Sequence, residues 1–226
     1  MGNEVHPSAV LIGEVEFGEN NTVHPFATII GPVRFGSGNV IGPSSVIGMP
    51  AADSRNRGYD ASRAKIVIGD DNIIREFVSV QKPSRTEVTA LGSRVFIMPG
   101  VQVQHDDRVS DDVVIMANAA VAGIVSILPG ASVAMGATIH QYSVIGHYSM
   151  IGMGAPVVKN VKPFSRYVPR KPITLNEYAI TKFGFEAERD EIAAYVLDGA
   201  APTTNRLCSI IGEFEKLHSE SRRELY

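Results

Sequence analysis

The 226-residue sequence predicts an all-β solenoid followed by a small α-helical region. β-Branched residues dominate its apolar composition, with 26 Val and 21 Ile against 8 Leu, whereas helical proteins favour Leu. The chain also contains 21 Gly and 13 Pro, which indicate frequent turns. Aliphatic and aromatic residues recur at every sixth position over long stretches, and this internal repeat is the observation that defines the fold class.

The sixfold spacing is unbroken through residues 91–157. Its anchors there are Leu91, Ile97, Val103, Val109, Ile115, Val121, Ile127, Val133, Ile139, Ile145, Ile151 and Val157. A second run covers residues 5–47, and Ile68, Ile74 and Val80 keep the spacing between the two. A period of six describes a short strand and a tight bend, so three hexads close one 18-residue triangular coil. The sequence therefore predicts a parallel β-helix of about seven to eight coils, with Gly, Asn and Asp adopting positive φ at the bends.

Two polar segments, residues 49–65 and 81–90, interrupt the spacing and are predicted to loop out of the solenoid. After Pro172 the composition changes, because 41 of the 47 Val and Ile precede it and five of the eight Leu follow it. Thr174-Leu-Asn-Glu177 is a capping-box pattern that predicts the start of a helix, and residues 186–198 and 207–217 continue as helices. We expect a β-helix over residues 1–172 and a helical region over residues 173–226.

Composition and charge exclude several classes of protein. The net charge of −3 gives no basic surface for a nucleic-acid partner. The single Cys208 excludes an intramolecular disulfide and a Cys-rich zinc module. No apolar run approaches the roughly 18 residues that span a bilayer, and the start of the chain lacks the pattern of a signal peptide. We expect a cytoplasmic protein without a membrane span.

An 18-residue coil stacks His105, Gly123 and Gln141 in one column. A histidine beside Asp106 is suited to act as a general base whose imidazole is oriented by the carboxylate. A glycine in the neighbouring coil offers an unshielded backbone N–H that suits an oxyanion. From spacing alone, the interpretation of His105 and Asp106 as a solvated surface pair stays open.

Several short motifs show a resemblance to a known family over residues 5–185. Gly69-Asp-Asp-Asn-Ile-Ile-Arg-Glu76 resembles a "GDRNRIRE" stretch, His105-Asp106 an "HD" pair, and Ala122-Gly123 an "AG" pair. His140-Gln141-Tyr142 resembles "HQF", and residues 176–185 run parallel to "NIEGLKRRGF". These motifs are those of the UDP-N-acetylglucosamine O-acyltransferases of lipid A biosynthesis. The resemblance implies a left-handed coil and a homotrimer with active sites between neighbouring β-helices.

The resemblance also implies a reaction and a set of site residues. The reaction is acyl transfer from an acyl-carrier-protein or coenzyme A thioester to a hydroxyl of a nucleotide-linked sugar, with no bound cofactor or metal. His105 would be the general base, Asp106 would orient it, and the Gly123 N–H would stabilise the oxyanion. The substrate-binding positions implied by the resemblance are Asp53, Arg55, Gln81, Gln102, His140, Gln141, Asn176, Tyr178 and Lys182.

Departures from the family pattern cluster around the predicted acceptor site. Gln81, Gln102 and Ile124 stand where the family has His, Tyr178 where it has Glu, and Lys182 where it has Arg. Because the predicted base is retained, these changes predict a conserved reaction with an altered acceptor. Met135 and Met153 stack one coil apart at the predicted acyl groove, and Met153 replaces a Gly of long-chain members. We expect Met153 to shorten the groove and to favour short or medium acyl chains, although Met can also serve here as surface or interface packing.

Three alternatives stay open from the sequence. An N-acyltransferase acting on a nucleotide-linked amino sugar would use the same fold and donor. A γ-type carbonic anhydrase would hold zinc with His105, His140 and His147, but these residues sit at different offsets from their anchors. A non-enzymatic β-helix of the ice-binding kind would show stacked Thr-x-Thr rows, and the sequence has none.

Overall fold

A computed structural model describes residues 2–53 and 58–226, which form three long β-sheets and a helical region. From the first strand to the twenty-third, the strands enter the three sheets in rotation, so every third strand joins the same sheet, and the last two strands both join the first sheet. This arrangement is a left-handed parallel β-helix with a small C-terminal helical region, as predicted.

The strands of each sheet are short and stack in chain order. The first sheet contains β1 (Glu4–Val5), β4 (Thr22–Val23), β7 (Val40–Ile41), β10 (Ile73–Ile74), β13 (Phe96–Ile97), β16 (Val114–Ile115), β19 (Ser132–Val133), β22 (Met150–Ile151), β24 (Ser165–Tyr167) and β25 (Thr174–Leu175). The second contains β2 (Val10–Ile12), β5 (Thr28–Ile30), β8 (Val46–Met49), β11 (Ser79–Gln81), β14 (Gln102–Val103), β17 (Ala120–Val121), β20 (Thr138–Ile139) and β23 (Pro156–Val157). The third contains β3 (Val15–Phe17), β6 (Val33–Phe35), β9 (Lys65–Ile68), β12 (Val88–Leu91), β15 (Arg108–Val109), β18 (Ser126–Ile127) and β21 (Val144–Ile145).

The coils stack in register, so that each anchor pairs with the corresponding anchor of the next coil in the same sheet. Val103 pairs with Val121, and Val121 with Ile139, one 18-residue coil apart. The step between coils widens to 33 residues between Ser45 and Val78, and to 23 between Asn72 and Val95. The additional residues lie in the two segments where the sixfold spacing breaks, and the first contains a 3₁₀ helix, Ala61–Arg63.

Hexad anchors fill the centre of the solenoid. From Val23 to Val157 the anchors are almost completely buried and form one continuous apolar cluster. Val5 and Leu11 are 41% and 43% exposed, because β1 and β2 stand at the ends of their sheets. A ladder of buried asparagines closes part of the interior: the Oδ1 of Asn21 accepts from the Asn39 N–H, and the Oδ1 of Asn39 from the Asn72 N–H.

The prediction that Gly, Asn and Asp occupy the left-handed bends is only partly right. Bulky residues also take positive φ, among them Phe26 at 61° and Phe77 at 58°. The preceding coil braces these bends, because the Phe77 N–H donates to Pro43 O at 3.2 Å. Gly42, by contrast, permits close approach of coils, since a β-carbon there would lie 2.5 Å from the Arg75 carbonyl carbon.

The segment after residue 172 begins with a strand rather than a helix. Thr174 lies in β25, which pairs antiparallel with β24, so the predicted capping box is wrong. Asn176 caps the helix instead, and its Oδ1 accepts from the Ala179 N–H at 3.4 Å. The helical elements that follow are α1 (Glu177–Lys182), a 3₁₀ helix (Glu186–Glu188), α2 (Arg189–Ala193), a π-helical turn (Ala194–Asp198) and α3 (Asn205–Glu220).

Helix α3 packs on the last coils of the solenoid. Phe214 is fully buried against Leu128 and Val144. The buried His147 contacts Glu213 through Nε2 at 3.1 Å. Among the described residues, no helix is both long and apolar enough to cross a membrane.

Candidate active site

His105 and Asp106 form a buried pair at the bend between β14 and β15. The Nδ1 of His105 lies 2.7 Å from the Oδ2 of Asp106, and the two side chains are only 3% and 0% exposed. Asp106 adopts φ of +65°, and its backbone N–H donates to the Oγ1 of Thr89 at 2.8 Å. The pair is therefore held by the backbone of the bend and is not a solvated surface pair.

The loop formed by Ser84, Arg85 and Thr86 surrounds the Asp106 carboxylate with donors. Oδ2 accepts from the Ser84 N–H at 3.0 Å, while Oδ1 accepts from the Arg85 N–H at 3.2 Å, the Thr86 N–H at 2.6 Å and the Thr86 hydroxyl at 2.7 Å. Burial raises the pKa of Asp106, but the hydrogen bonds from Ser84, Thr86 and His105 outweigh it and hold the pKa below its usual value. The carboxylate stays charged at neutral pH and orients the imidazole.

Ser84 also contacts the imidazole, with its Oγ 3.1 Å from the Nδ1 of His105. In a Ser–His–Asp triad, serine and carboxylate lie on opposite ring nitrogens, whereas Ser84 and Asp106 share Nδ1. Ser84 is therefore not placed as an activated nucleophile. No hydrogen bond to Nε2 of His105 is present within residues 2–53 and 58–226, so this nitrogen is available to take a proton.

Gly123 lies directly against the imidazole ring. A β-carbon at this position would come within 2.4 Å of Cε1 and 2.5 Å of Nε2 of His105. The adjacent Ile124 donates its N–H to His105 O at 3.0 Å, which fixes the two coils to each other. No acceptor for the Gly123 N–H is present among the described residues. The column predicted from the 18-residue spacing therefore brings a basic nitrogen and an unshielded amide together.

His140 and Gln141 continue the same column in the next coil. They line a groove of about 470 Å³ whose walls include Gln104, Ala122 and Val158. Arg223 holds both residues from the outside, since its Nε donates to Gln141 O at 2.8 Å and its Nη2 to Nδ1 of His140.

A second cavity, of about 330 Å³, opens beside Ser84 and is lined by Asp53, Tyr59 and Lys82. The Nζ of Lys82 donates to Gly31 O at 2.5 Å, and partial burial lowers the pKa of this lysine. Gln81 accepts the Ala52 N–H through Oε1 at 2.9 Å. Asp53 lies 3.7 Å from the Arg85 guanidinium.

Two further predicted substrate-binding residues do not line this cavity in the described part of the chain. Gln102 is exposed on β14. Arg55 lies outside the described residues.

Asn176, Tyr178 and Lys182 form a separate cluster. They line a cavity of about 390 Å³ between α1 and the outer face of the first sheet, with Met116 and Met150. Asn176 is occupied by structural hydrogen bonds, because it caps α1 and donates Nδ2 to Tyr148 O at 2.8 Å. The His105–Asp106 pair lies at the bend between the second and third sheets, so a single chain does not bring this pair and the Asn176 cluster together.

Met135 and Met153 lie at successive bends between the first and second sheets. They are 49% and 73% exposed, and the Gly154 N–H donates to Met135 O at 2.9 Å. The three histidines of the carbonic anhydrase alternative have different partners: Asp106 for His105, Arg223 for His140 and Glu213 for His147. Within the described part of the chain no three His, Cys, Asp or Glu side chains converge as a metal site.

Sequence reasoning missed Ser84, Thr86 and Arg223. The first two lie in the predicted interruption at residues 81–90, which was the only available signal. Arg223 is 83 residues from His140 in the chain, and no spacing rule connects them.

Comparisons with known proteins agree with the resemblance seen in the sequence. No family model matches the chain. The acyl-[acyl-carrier-protein]–UDP-N-acetylglucosamine O-acyltransferase of Alkalilimnicola ehrlichii is 32% identical over 141 residues, which cover 61% of this chain and 55% of that protein. The protein of the same name from Aliivibrio fischeri is 32% identical over 138 residues, covering 59% and 53%. The chain thus aligns with about half the length of these relatives.

Solved structures share the fold along nearly the whole chain. The UDP-N-acetylglucosamine acyltransferase of Francisella novicida superposes with a TM-score of 0.81 at 23% identity, covering 99% of this chain and 90% of that one. That of Bacteroides fragilis superposes with a TM-score of 0.80 at 24% identity, covering 99% and 98%. The resemblance is therefore confirmed: the chain is similar in sequence to UDP-N-acetylglucosamine O-acyltransferases and has the fold of their solved structures.

Proposed function

We propose that the chain is an acyltransferase that moves an acyl group from an acyl thioester to a hydroxyl of a nucleotide-linked sugar. The observation that carries this proposal is the contact of His105 with both Asp106 and Gly123. One ring nitrogen is held by a charged carboxylate, the other has no hydrogen bond to any residue that the structure describes, and an unshielded amide lies beside it. This combination suits general-base catalysis of an addition that creates an oxyanion.

The steps follow from these groups. Nε2 of His105 removes the proton of the acceptor hydroxyl as its oxygen attacks the thioester carbonyl. The Gly123 N–H donates to the resulting oxyanion, and Asp106 stabilises the imidazolium. When the tetrahedral intermediate collapses, the C–S bond breaks and the thiolate takes the proton from His105. The products are an ester and a free thiol, so no metal or redox cofactor enters the balance.

A homotrimer is part of the proposal. The His105–Asp106 pair lies at the bend between the second and third sheets, whereas the Asn176–Tyr178–Lys182 cluster lies over the outer face of the first sheet. A neighbouring copy that supplied one cluster to the other would complete a site between two β-helices. The exposed Met135 and Met153 would then line the acyl groove at the same interface.

The donor is proposed to be an acyl-carrier-protein thioester, with coenzyme A as the other possible carrier, because the relatives at 32% identity are named for the carrier protein. UDP-N-acetylglucosamine is the first acceptor to test for the same reason. Gln81, Gln102 and Tyr178 replace family residues around the proposed acceptor site, which supports an acceptor that differs from it.

The test is to offer the purified protein UDP- and dTDP-linked sugars with acyl-carrier-protein and coenzyme A donors, and to identify products by mass spectrometry. We expect an acylated nucleotide sugar from at least one pair, and no product from any pair would overturn the proposal. His105→Ala then separates the two acylation types: a hydroxyl acceptor should lose several orders of magnitude in rate, whereas an amine acceptor, which needs less help from a base, should lose little.

A further inference from the structure

Residues 221–226 run along the last coil and contact residues 140–142, which include the predicted substrate-binding residues His140 and Gln141. Leu225 pairs in parallel with Asn160, which itself bonds to the Val144 N–H through Oδ1 at 2.7 Å. Ser221 donates its hydroxyl to Tyr142 O at 2.8 Å. The segment is therefore anchored to the solenoid on both sides of Arg223, and the arginine is held in place.

Arg223 makes two contacts that fit only one protonation pattern of His140. A guanidinium has donors and no acceptor, so the Nδ1 of His140 must accept from Nη2. Nδ1 also lies 3.4 Å from Gln141 O, where an Nδ1–H would be needed, but that oxygen already accepts from Arg223 Nε at 2.8 Å. The single proton of the neutral ring is thus directed to Nε2.

We propose that Arg223 is a positioning residue, which fixes His140 in the Nε2–H tautomer and so presents a hydrogen-bond donor to the substrate. The inference rests on the proposed function, because His140 lines a groove together with Gln104 and Ala122, the chain neighbours of His105 and Gly123. An exposed histidine without such a partner exchanges between tautomers, and only one of them donates from Nε2. The group recognised would be an acceptor oxygen of the substrate.

The tautomer can be measured without any assay of activity. Long-range ¹H–¹⁵N spectra of protein labelled at histidine distinguish the two neutral tautomers, and His140→Gln identifies the signal. We expect the Nε2–H form in the wild type and a mixture in Arg223→Ala. Arg222→Ala is the matched control, because Arg222 is exposed and lies 4.8 Å from the centre of the Tyr142 ring without touching His140. A His140 tautomer that is the same in wild type and Arg223→Ala would overturn the assignment, whatever the catalytic activity.

Kinetics then test whether the tautomer matters to the reaction. Arg223→Ala should lower kcat/KM by about tenfold, which corresponds to one hydrogen bond to substrate. Arg223→Lys should recover only part of the lost kcat/KM, because an ammonium does not bind His140 and Gln141 at the same time as the guanidinium does. In a His140→Ala background, Arg223→Ala should change kcat/KM by less than about twofold. A full tenfold effect in that background would show that Arg223 acts elsewhere. If the wild-type protein has no acyltransferase activity, that result would count against the proposed function alone.

Discussion

The imidazole of His105 packs against the α-carbon of Gly123 so closely that no β-carbon fits between them. Gly123 does not have the positive φ that requires glycine elsewhere, so the constraint is the ring itself. The contact joins the proposed base and the proposed oxyanion donor in one rigid unit, since the next residue, Ile124, bonds to His105 O. Any side chain at position 123 must displace the base.

Gly123→Ala should therefore reduce activity while the protein still folds. The new methyl group would lie 2.4 Å from Cε1, and a shift of the ring by about 1 Å is enough to lower kcat about a hundredfold. Overpacking should cost about 1–3 kcal/mol in the free energy of unfolding. Gly212→Ala in α3 is the control, because nothing lies within 4 Å of its β-carbon position, and it should stabilise by about 0.5–1 kcal/mol. Wild-type kcat in Gly123→Ala would contradict the arrangement.

Thr86→Val tests the donors around the Asp106 carboxylate. The pKa of Asp106 is held below its usual value, so this group contributes stability above about pH 4 that is lost as the pH falls through its folded pKa. Removing the Thr86 hydroxyl should raise that pKa and lower the free energy of unfolding at pH 7 by about 1–2 kcal/mol. The acid limb of the pH–rate profile should also move to higher pH, because the pKa of Asp106 is raised. Thr86→Ser keeps the hydroxyl and should match the wild type in urea unfolding between pH 3 and 7, and a Val variant equal to Ser would refute the role.

The periodic part of the sequence was sufficient to predict the fold and the column of His105, Gly123 and Gln141. A fixed 18-residue coil converts spacing directly into contact, so residues far apart in the chain could be paired without a structure. The Ser84–Thr86 loop breaks that period, and its conformation depends on the carboxylate it surrounds. Arg223 reaches His140 through tertiary packing of the tail, and Thr174 joined a sheet edge in spite of a helix-start pattern. Predictions from local patterns failed where contacts with neighbouring coils or with the tail determined the backbone conformation.

Asp107→Asn should stabilise the protein relative to the wild type, and more so as the pH rises. Asp107 is fully buried, its Oδ1 accepts from the Val125 N–H at 2.9 Å, and its Oδ2 has no hydrogen-bond partner among the described residues. Burial raises the pKa of Asp107 well above its usual value, so the neutral form is favoured and stability is lost as the pH increases above about 4. Asn keeps the acceptor for Val125 without a charge.

The advantage of Asp107→Asn over the wild type should grow between pH 5 and 8 by up to about 1.4 kcal/mol per pH unit, the limit for one proton. Urea unfolding at several pH values measures it. A difference between the two proteins that is constant across this range would mean that the carboxyl does not titrate as described.

Met153→Gly should lengthen the acyl chain that the protein accepts. The side chain is 73% exposed in one chain, at the bend where the acyl groove is proposed. Removing it should raise kcat/KM for donors of about fourteen carbons relative to those of about four to ten, because each additional buried methylene contributes about 0.8 kcal/mol. Met135→Leu keeps the apolar volume and should preserve the wild-type preference. Equal turnover of long and medium donors by the wild type would exclude this role for Met153.

Mild acid should loosen the docking of α3. Burial lowers the pKa of His147 while Glu213 acts in the opposite direction, and the buried Nδ1 has no hydrogen-bond partner in the part of the chain that the structure describes. A lowered folded pKa means that stability present above about pH 6.5 decreases as the pH falls, because protonation would place an N–H donor at Nδ1 without an acceptor. Hydrogen exchange of α3, corrected for the intrinsic rate, should be faster at pH 5 than at pH 7.5. His147→Gln should remove this difference, and His24→Gln, at an exposed site, should leave it unchanged. Equal protection of α3 at both pH values in the wild type would refute the linkage between His147 and helix docking.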